Sequence, residues 1–147
     1  MRIHLNIGSN QGDRRGFIAR AAALVASGLA PCRVLLSDYC ESEPQGYDSP
    51  HPFLNRGLLV DTLGRRLEPE AVLDVTQAIE RRLAPDSPHR NPDGSYRDRC
   101  VDIDIIDIDG GMIFSSPRLT LPHPKASERC FVIIPMRELD ARANLTI

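Results

Sequence analysis

Arg2-Ile3-His4-Leu5-Asn6-Ile7 alternates polar and apolar side chains, and Gly8-Ser9-Asn10-Gln11-Gly12-Asp13 follows at once. A period of two marks a strand with one buried face. A cluster of glycine, asparagine and aspartate after it reads as a turn that also starts a helix. Outward from this opening, Ile18, Ala21, Ala22, Val25 and Leu29 recur at helical spacing until Gly28 and Pro31 close the helix. Residues 33–39 read as a second strand. Residues 40–53 carry Pro44, Gly46, Pro50 and Pro52 and read as a loop, and residues 54–60 return to strand character.

Leu67-Glu68-Pro69-Glu70 opens a second helix, with proline and acids where the first turn favours them. Val72, Leu73, Thr76, Ile79 and Leu83 form its inner stripe. Residues 84–98 (APDSPHRNPDGSYRD) have no apolar period, and so long a loop in a small domain reads as a lid or binding segment. Residues 100–108 form a β-branched strand, and a Gly110-Gly111 turn leads to a short strand at 112–114. Residues 128–139 form a last amphipathic helix. The order β-α-β-β-α-β predicts an α+β fold of ferredoxin-like type, a mainly antiparallel sheet with packed helices and long active-site loops. No repeat or composition shift divides the chain, so residues 1–147 are expected to form one domain.

The composition narrows the partners. A formal net charge of −2 with intermixed signs advertises neither a nucleic-acid nor a membrane surface. Cys32, Cys40, Cys100 and Cys130 stand far apart without a metal-ligand spacing, which fits reduced thiols in a cytoplasmic protein. No apolar run approaches bilayer length.

Chemistry shows first in Arg99-Cys100-Val101-Asp102-Ile103-Asp104-Ile105. Residues two apart on a strand share a face, so Asp102 and Asp104 present two carboxylates side by side while Val101, Ile103 and Ile105 turn to the core. Such a pair repels itself unless a cation lies between, and a hard divalent ion bridging phosphate oxygens is the common resolution. For a bare Asp-x-Asp, a solvated sheet edge is an equal alternative. Arg99, Arg118 and Arg129 shift the balance, because guanidinium forks suit phosphate oxygens.

Two further groups stand out. His123 lies between Pro122 and Pro124 in an extended segment, where its ring can meet a phosphate or a base edge. Ser42-Glu43-Pro44-Gln45-Gly46 and Phe53-Leu54-Asn55, with Phe131, offer aromatic faces and an amide edge for a flat heteroaromatic ring. Taken singly, the histidine is a loop residue and the others a core phenylalanine and a turn asparagine.

Together these motifs resemble the 6-hydroxymethyl-7,8-dihydropterin pyrophosphokinase family. The match runs from Gly8-Ser9-Asn10 through Phe53-Leu54-Asn55, the helix bearing Gln77 and Glu80, Arg99-x-x-Asp102-x-Asp104-Ile105, and Leu119-x-x-Pro122-His123 to Arg129-x-Phe131. The resemblance implies diphosphate transfer from ATP to the pterin in folate biosynthesis. Asp102 and Asp104 would bind two Mg2+ ions, with Arg99 engaging the phosphates. It assigns Gln77, Glu80, Ile105, Arg118, Thr120, His123 and Arg129 to ATP, and Ser42, Pro44, Gln45, Phe53, Asn55, Tyr96 and Phe131 to the pterin. The partners expected are these two small molecules, with the chain a monomer or weak dimer.

The sequence departs from the family pattern at Leu83-Ala84-Pro85-Asp86, where a Gly-Arg-x-Arg stretch is usual, leaving Arg90 or Arg97 to supply the lid. It also has Tyr96-Arg97-Asp98 for Trp-Gly-Pro, and Asp107 at a usually apolar position. A nucleotidyl transferase or cyclase with a strand acid pair is the rival enzyme class, and a small-molecule-binding regulatory domain the non-catalytic one.

Overall fold

The computed structural model describes residues 1–85, 91–93, 95 and 97–145. Its elements are β1 (Arg2–Ser9), α1 (Arg14–Gly28), β2 (Arg33–Ser42), β3 (Phe53–Asp61), α2 (Pro69–Leu83), β4 (Asp102–Ile108), β5 (Phe114–Ser115), β6 (Thr120–Leu121) and α3 (Cys130–Leu145), with a 3-10 turn at Ala126–Glu128 before α3. Four strands form one sheet in the order β2-β3-β1-β4, and every neighbouring pair is antiparallel. The class is therefore α+β.

Strand alternation sorts the side chains into two layers. Ile3, Leu5 and Ile7 of β1, Leu54, Leu58 and Val60 of β3, and Ile103 and Ile105 of β4 share one core with Ile18, Ala21 and Val25 of α1 and Val72, Leu73 and Ile79 of α2. Burying a side chain such as Ile or Leu contributes about 1.5–3 kcal/mol, so this layer anchors the fold. Helix α3 covers β2 and β3 on the other face, with Leu139 and Ala143 against Leu59. Gly57 permits that approach, because a Cβ there would lie 2.8 Å from Pro135 Cβ.

Local signals explain the helix ends. Asp13 accepts the Gly16 N–H at 3.1 Å and caps α1, and Pro69 occupies the first turn of α2.

Three expectations change. The short strand read at 112–114 lies at Phe114–Ser115 and pairs with Thr120–Leu121, a strand the sequence did not reveal. The last helix starts at Cys130 and continues to Leu145. Strand β4 also carries a bulge: His4 faces Asp107 and Leu5 faces Ile105, so Ile106 is the extra residue. The bulge resets the alternation. Ile106 packs with Ala126 and Val132, Asp107 turns toward His4 rather than into the apolar core, and Ile108 returns to that core. An aspartate at a usually apolar position is thereby accommodated, with burial pushing its carboxyl above the ordinary range.

Candidate active site

The register of β1 with β4 sets the site. Asn6 faces Asp104 and Gly8 faces Asp102, so the polar positions of β1 and the two acids share the sheet face that looks toward the start of α3. These residues form the floor of a cavity of about 520 Å3. Ser42, Phe53 and Asn55 enter from the ends of β2 and β3, Gln45 from the loop between them, and Arg99 from the segment before β4. His123 and Arg129 enter from the segment leading into α3, and Phe131 from its first turn.

The acid side is crowded with negative charge. Glu80 on α2 accepts the Ile103 N–H through Oε2 at 2.9 Å, which brings a third carboxyl to the acid strand. Burial, then Asp102 and Asp104, push Glu80 up to about 8. Asp104 is raised to about 7 by burial and by Asp102, against the opposing pull of Arg99 and Arg129. Arg99 Nη1 donates to Asp102 Oδ2 at 2.9 Å, and its guanidinium lies 5.5 Å from the Phe53 ring centroid. Arg99 thus spans the acid and aromatic halves.

These carboxyls fit a divalent cation. The raised values of Asp104 and Glu80 express a deficit of positive charge beside hard oxygen donors. Among the described residues no group of three or more His, Cys, Asp or Glu is arranged to hold a metal alone. Ions at Asp102 and Asp104 would therefore complete their shells with water or substrate oxygens, as ions that bridge phosphates do.

His123 is fixed by its backbone N–H to Ile106 O at 2.8 Å. Its Nδ1 accepts the Lys125 N–H at 3.2 Å, which leaves the ring hydrogen on Nε2 as a donor. Burial first, then Arg129, lowers its pKa, so the imidazole is neutral at neutral pH.

The aromatic half is equally constrained. Asn55 Nδ2 donates to Cys40 O at 3.1 Å and to Ser42 Oγ at 2.8 Å. With both donor hydrogens engaged, the amide has its acceptor Oδ1, which lies over Gly8, left to offer. Phe131 owes its anchorage to Pro135. Proline lacks the N–H that would bond the Phe131 carbonyl four residues back, and Asn6 Nδ2 donates to that carbonyl at 3.2 Å instead.

Not every residue the sequence singled out reaches this cavity. Arg118 Nη2 donates to Asp74 at 2.7 Å and to Gln77 Oε1 at 3.0 Å, so Gln77 and Arg118 stand together on the α2 side, outside it. Thr120 is exposed on β6. Ile105 is 3% exposed, its side chain in the core. Pro44 is half-buried beside the cavity without lining it. Tyr96 lies outside the described residues. Asn6, Lys125 and Glu128, which had no site role in the sequence, also line the cavity, as do Gly8, Glu43 and Gly46 from within the quoted motifs. For Asn6 and Gly8 the alternation of β1 already carried the signal.

A cleft that joins paired carboxylates and arginines to an aromatic recess with an amide edge defines an enzyme of phosphate-group transfer. The sequence matches the family model described as 7,8-dihydro-6-hydroxymethylpterin-pyrophosphokinase (HPPK) over residues 4–141. It is 39% identical over 138 residues to the 2-amino-4-hydroxy-6-hydroxymethyldihydropteridine pyrophosphokinase of Porphyromonas gingivalis, covering 93% of this chain and 89% of that one. The proteins of the same name from Bacillus subtilis and Methylorubrum extorquens are each 32% identical, covering 92% and 94% of this chain and 76% and 82% of theirs. The chain belongs to the 7,8-dihydro-6-hydroxymethylpterin-pyrophosphokinase family.

Proposed function

We propose that the chain transfers the diphosphate group of ATP to the primary hydroxyl of 6-hydroxymethyl-7,8-dihydropterin, releasing AMP, as a step of folate biosynthesis. One observation carries this reading: Phe53, Asn55 and Phe131 share a single cavity with Arg99, Asp102, Asp104, His123 and Arg129. A flat acceptor and a polyphosphate placed in the two halves would meet at Arg99.

The hydroxyl oxygen attacks the β-phosphorus, the bond from that phosphorus to the AMP oxygen breaks, and the hydroxyl proton is released. Such a transfer needs positioning and charge neutralisation, not a covalent intermediate. Asp102 and Asp104 would hold the two Mg2+ ions. Bound magnesium supplies positive charge to the phosphate oxygens there. Arg99 and Arg129 add fixed positive charge, and neutral His123 offers its Nε2–H to a phosphate oxygen. Glu80 holds the acid strand through Ile103 N–H, so α2 keeps the carboxylates in place. Asn55 Oδ1 accepts from the ring's amino edge, Ser42 and Gln45 stand beside it, and Phe53 and Phe131 flank the ring.

Gln77, Ile105, Arg118 and Thr120 are assigned to the nucleotide portion beyond the cavity, and Pro44 and Tyr96 to the pterin side. The sheet order is read as the ferredoxin-like arrangement. One domain across 1–147 is supported by the family match over residues 4–141. Among the described residues no helix is long and apolar enough to cross a membrane, and all four cysteines are free, in keeping with the cytoplasmic reading. Titration calorimetry tests the two-half cleft. A non-hydrolysable ATP analogue with magnesium and the pterin should bind together, and mutual exclusion would contradict it.

A further inference from the structure

Asn10 is 3% exposed and bonds to two separate segments. Its backbone N–H donates to Arg99 O at 3.0 Å, and its Oδ1 accepts the Arg99 N–H at 2.7 Å, so both backbone polar groups of Arg99 are held by one residue. Its Nδ2 lies 2.9 Å from Tyr47 Oη, 3.1 Å from His51 O and 2.8 Å from Asp98 Oδ1, sharing two hydrogens among three acceptors. Tyr47 in turn donates to Asp98 Oδ1 at 3.1 Å.

The chemistry admits only an asparagine of this orientation. Arg99 N–H can only donate and His51 C=O can only accept, so a flipped amide would set donor against donor and acceptor against acceptor. A carboxylate would lose the donors and repel Asp98. Asp98 remains an anion in this network: burial pushes its carboxyl up, but hydrogen bonds from Ser49, Tyr47 and Asn10 hold it below the usual range.

The segments joined are those that build the two halves of the cleft. Tyr47 and His51 belong to the loop between Ser42 and Phe53, which carries the ring-facing residues. Arg99 meets Asp102 at 2.9 Å and overlies Phe53. Resting on the pyrophosphokinase reading, we propose that Asn10 is a positioning residue that locks this loop and Arg99 into one frame, so that acceptor ring and diphosphate are held in register.

The test uses Asn10→Asp, which keeps the acceptor for Arg99 N–H but loses the donors, and the swap Asn10→Asp/Asp98→Asn, which restores a donor–acceptor pair with unchanged net charge. Misplacement of this kind should lower kcat/KM for the pterin about tenfold to a hundredfold in Asn10→Asp, with the ATP KM within about twofold of the parent. The swap should recover most of that loss. Wild-type kinetics in Asn10→Asp, or equal weakening of ATP and pterin without recovery in the swap, would overturn the inference by leaving a merely structural asparagine. Should Asn10→Asp not fold, Tyr47→Phe decides: it deletes one hydroxyl of the network, and an unchanged pterin KM would overturn the inference. If the parent protein itself released no AMP, the proposed function would fail instead.

Discussion

Glu80 accepts the backbone N–H of Ile103 at 2.9 Å, and that single bond inserts a helix carboxyl beside the strand that carries Asp102 and Asp104. Three acids thus meet where the protein itself supplies mainly Arg99 and Arg129 in return. The arrangement concentrates negative charge and is suited to receiving cations.

Removing either strand acid should therefore stop turnover and leave the fold intact, since Asp102 and Asp104 line a cavity and do not fill the core. Asp102→Ala and Asp104→Ala are each expected to lose at least about 10²–10³-fold in AMP release, the scale of removing one electrostatic stabiliser. Near-parental turnover in saturating magnesium would refute their assignment as metal ligands.

The same crowding predicts a pH signature in the ligand-free protein. Asp104 titrates near 7 and Glu80 near 8 in the folded state, above their unfolded values. The folded state then binds more protons than the unfolded one from about pH 4 to 8, so these groups withdraw stability as pH rises through that window. Asp104→Asn should accordingly melt above the parent at pH 8, by roughly 2–4 °C if about 1 kcal/mol is relieved. The offset should shrink toward pH 5. Melting curves with an offset independent of pH would contradict carboxylate crowding as its cause.

Gly8 and Asn55 test the aromatic half. A Cβ at position 8 would lie 3.1 Å from Asn55 Oδ1 and 3.3 Å from Phe53 Cδ1, so Gly8→Ala must push the amide and the ring aside. Asn55→Ala deletes the acceptor outright, at roughly 1–3 kcal/mol of pterin binding. Calorimetry should show both variants weakened for pterin and nearly unchanged for ATP. Equal loss of both ligands would mark these residues as structural.

Arg97 and Arg90 address the missing Gly-Arg-x-Arg element, although Arg90 lies outside the described residues. At least one of Arg90→Ala and Arg97→Ala should lower kcat more than it raises either KM, the pattern of a contact made mainly in the transition state. Normal turnover in both would remove the lid role from this loop.

Much of this was legible in residue order. The alternation of 2–7, the stripe Val72, Leu73, Thr76, Ile79 and the Asp-x-Asp spacing are period signals, and the sheet and helices follow them. What escaped has no local signature. The bulge at Ile106 is set by pairing with His4 and Leu5, far away in sequence, so Asp107 looked misplaced until the register was known. Strand β6 is two residues long and exists only through β5. The separation of Arg118 and Gln77 from the cavity depends on how α2 leans on the sheet. Asn10 read as a turn residue, because its partners at 47, 51, 98 and 99 are distant in the chain.

The most direct test of one cleft serving two substrates is AMP release from ATP, followed with and without 6-hydroxymethyl-7,8-dihydropterin in the presence of magnesium. AMP should appear in equal amount to pterin diphosphate, and only when the pterin is present. Formation of ADP, or AMP release indifferent to the pterin, would contradict the account.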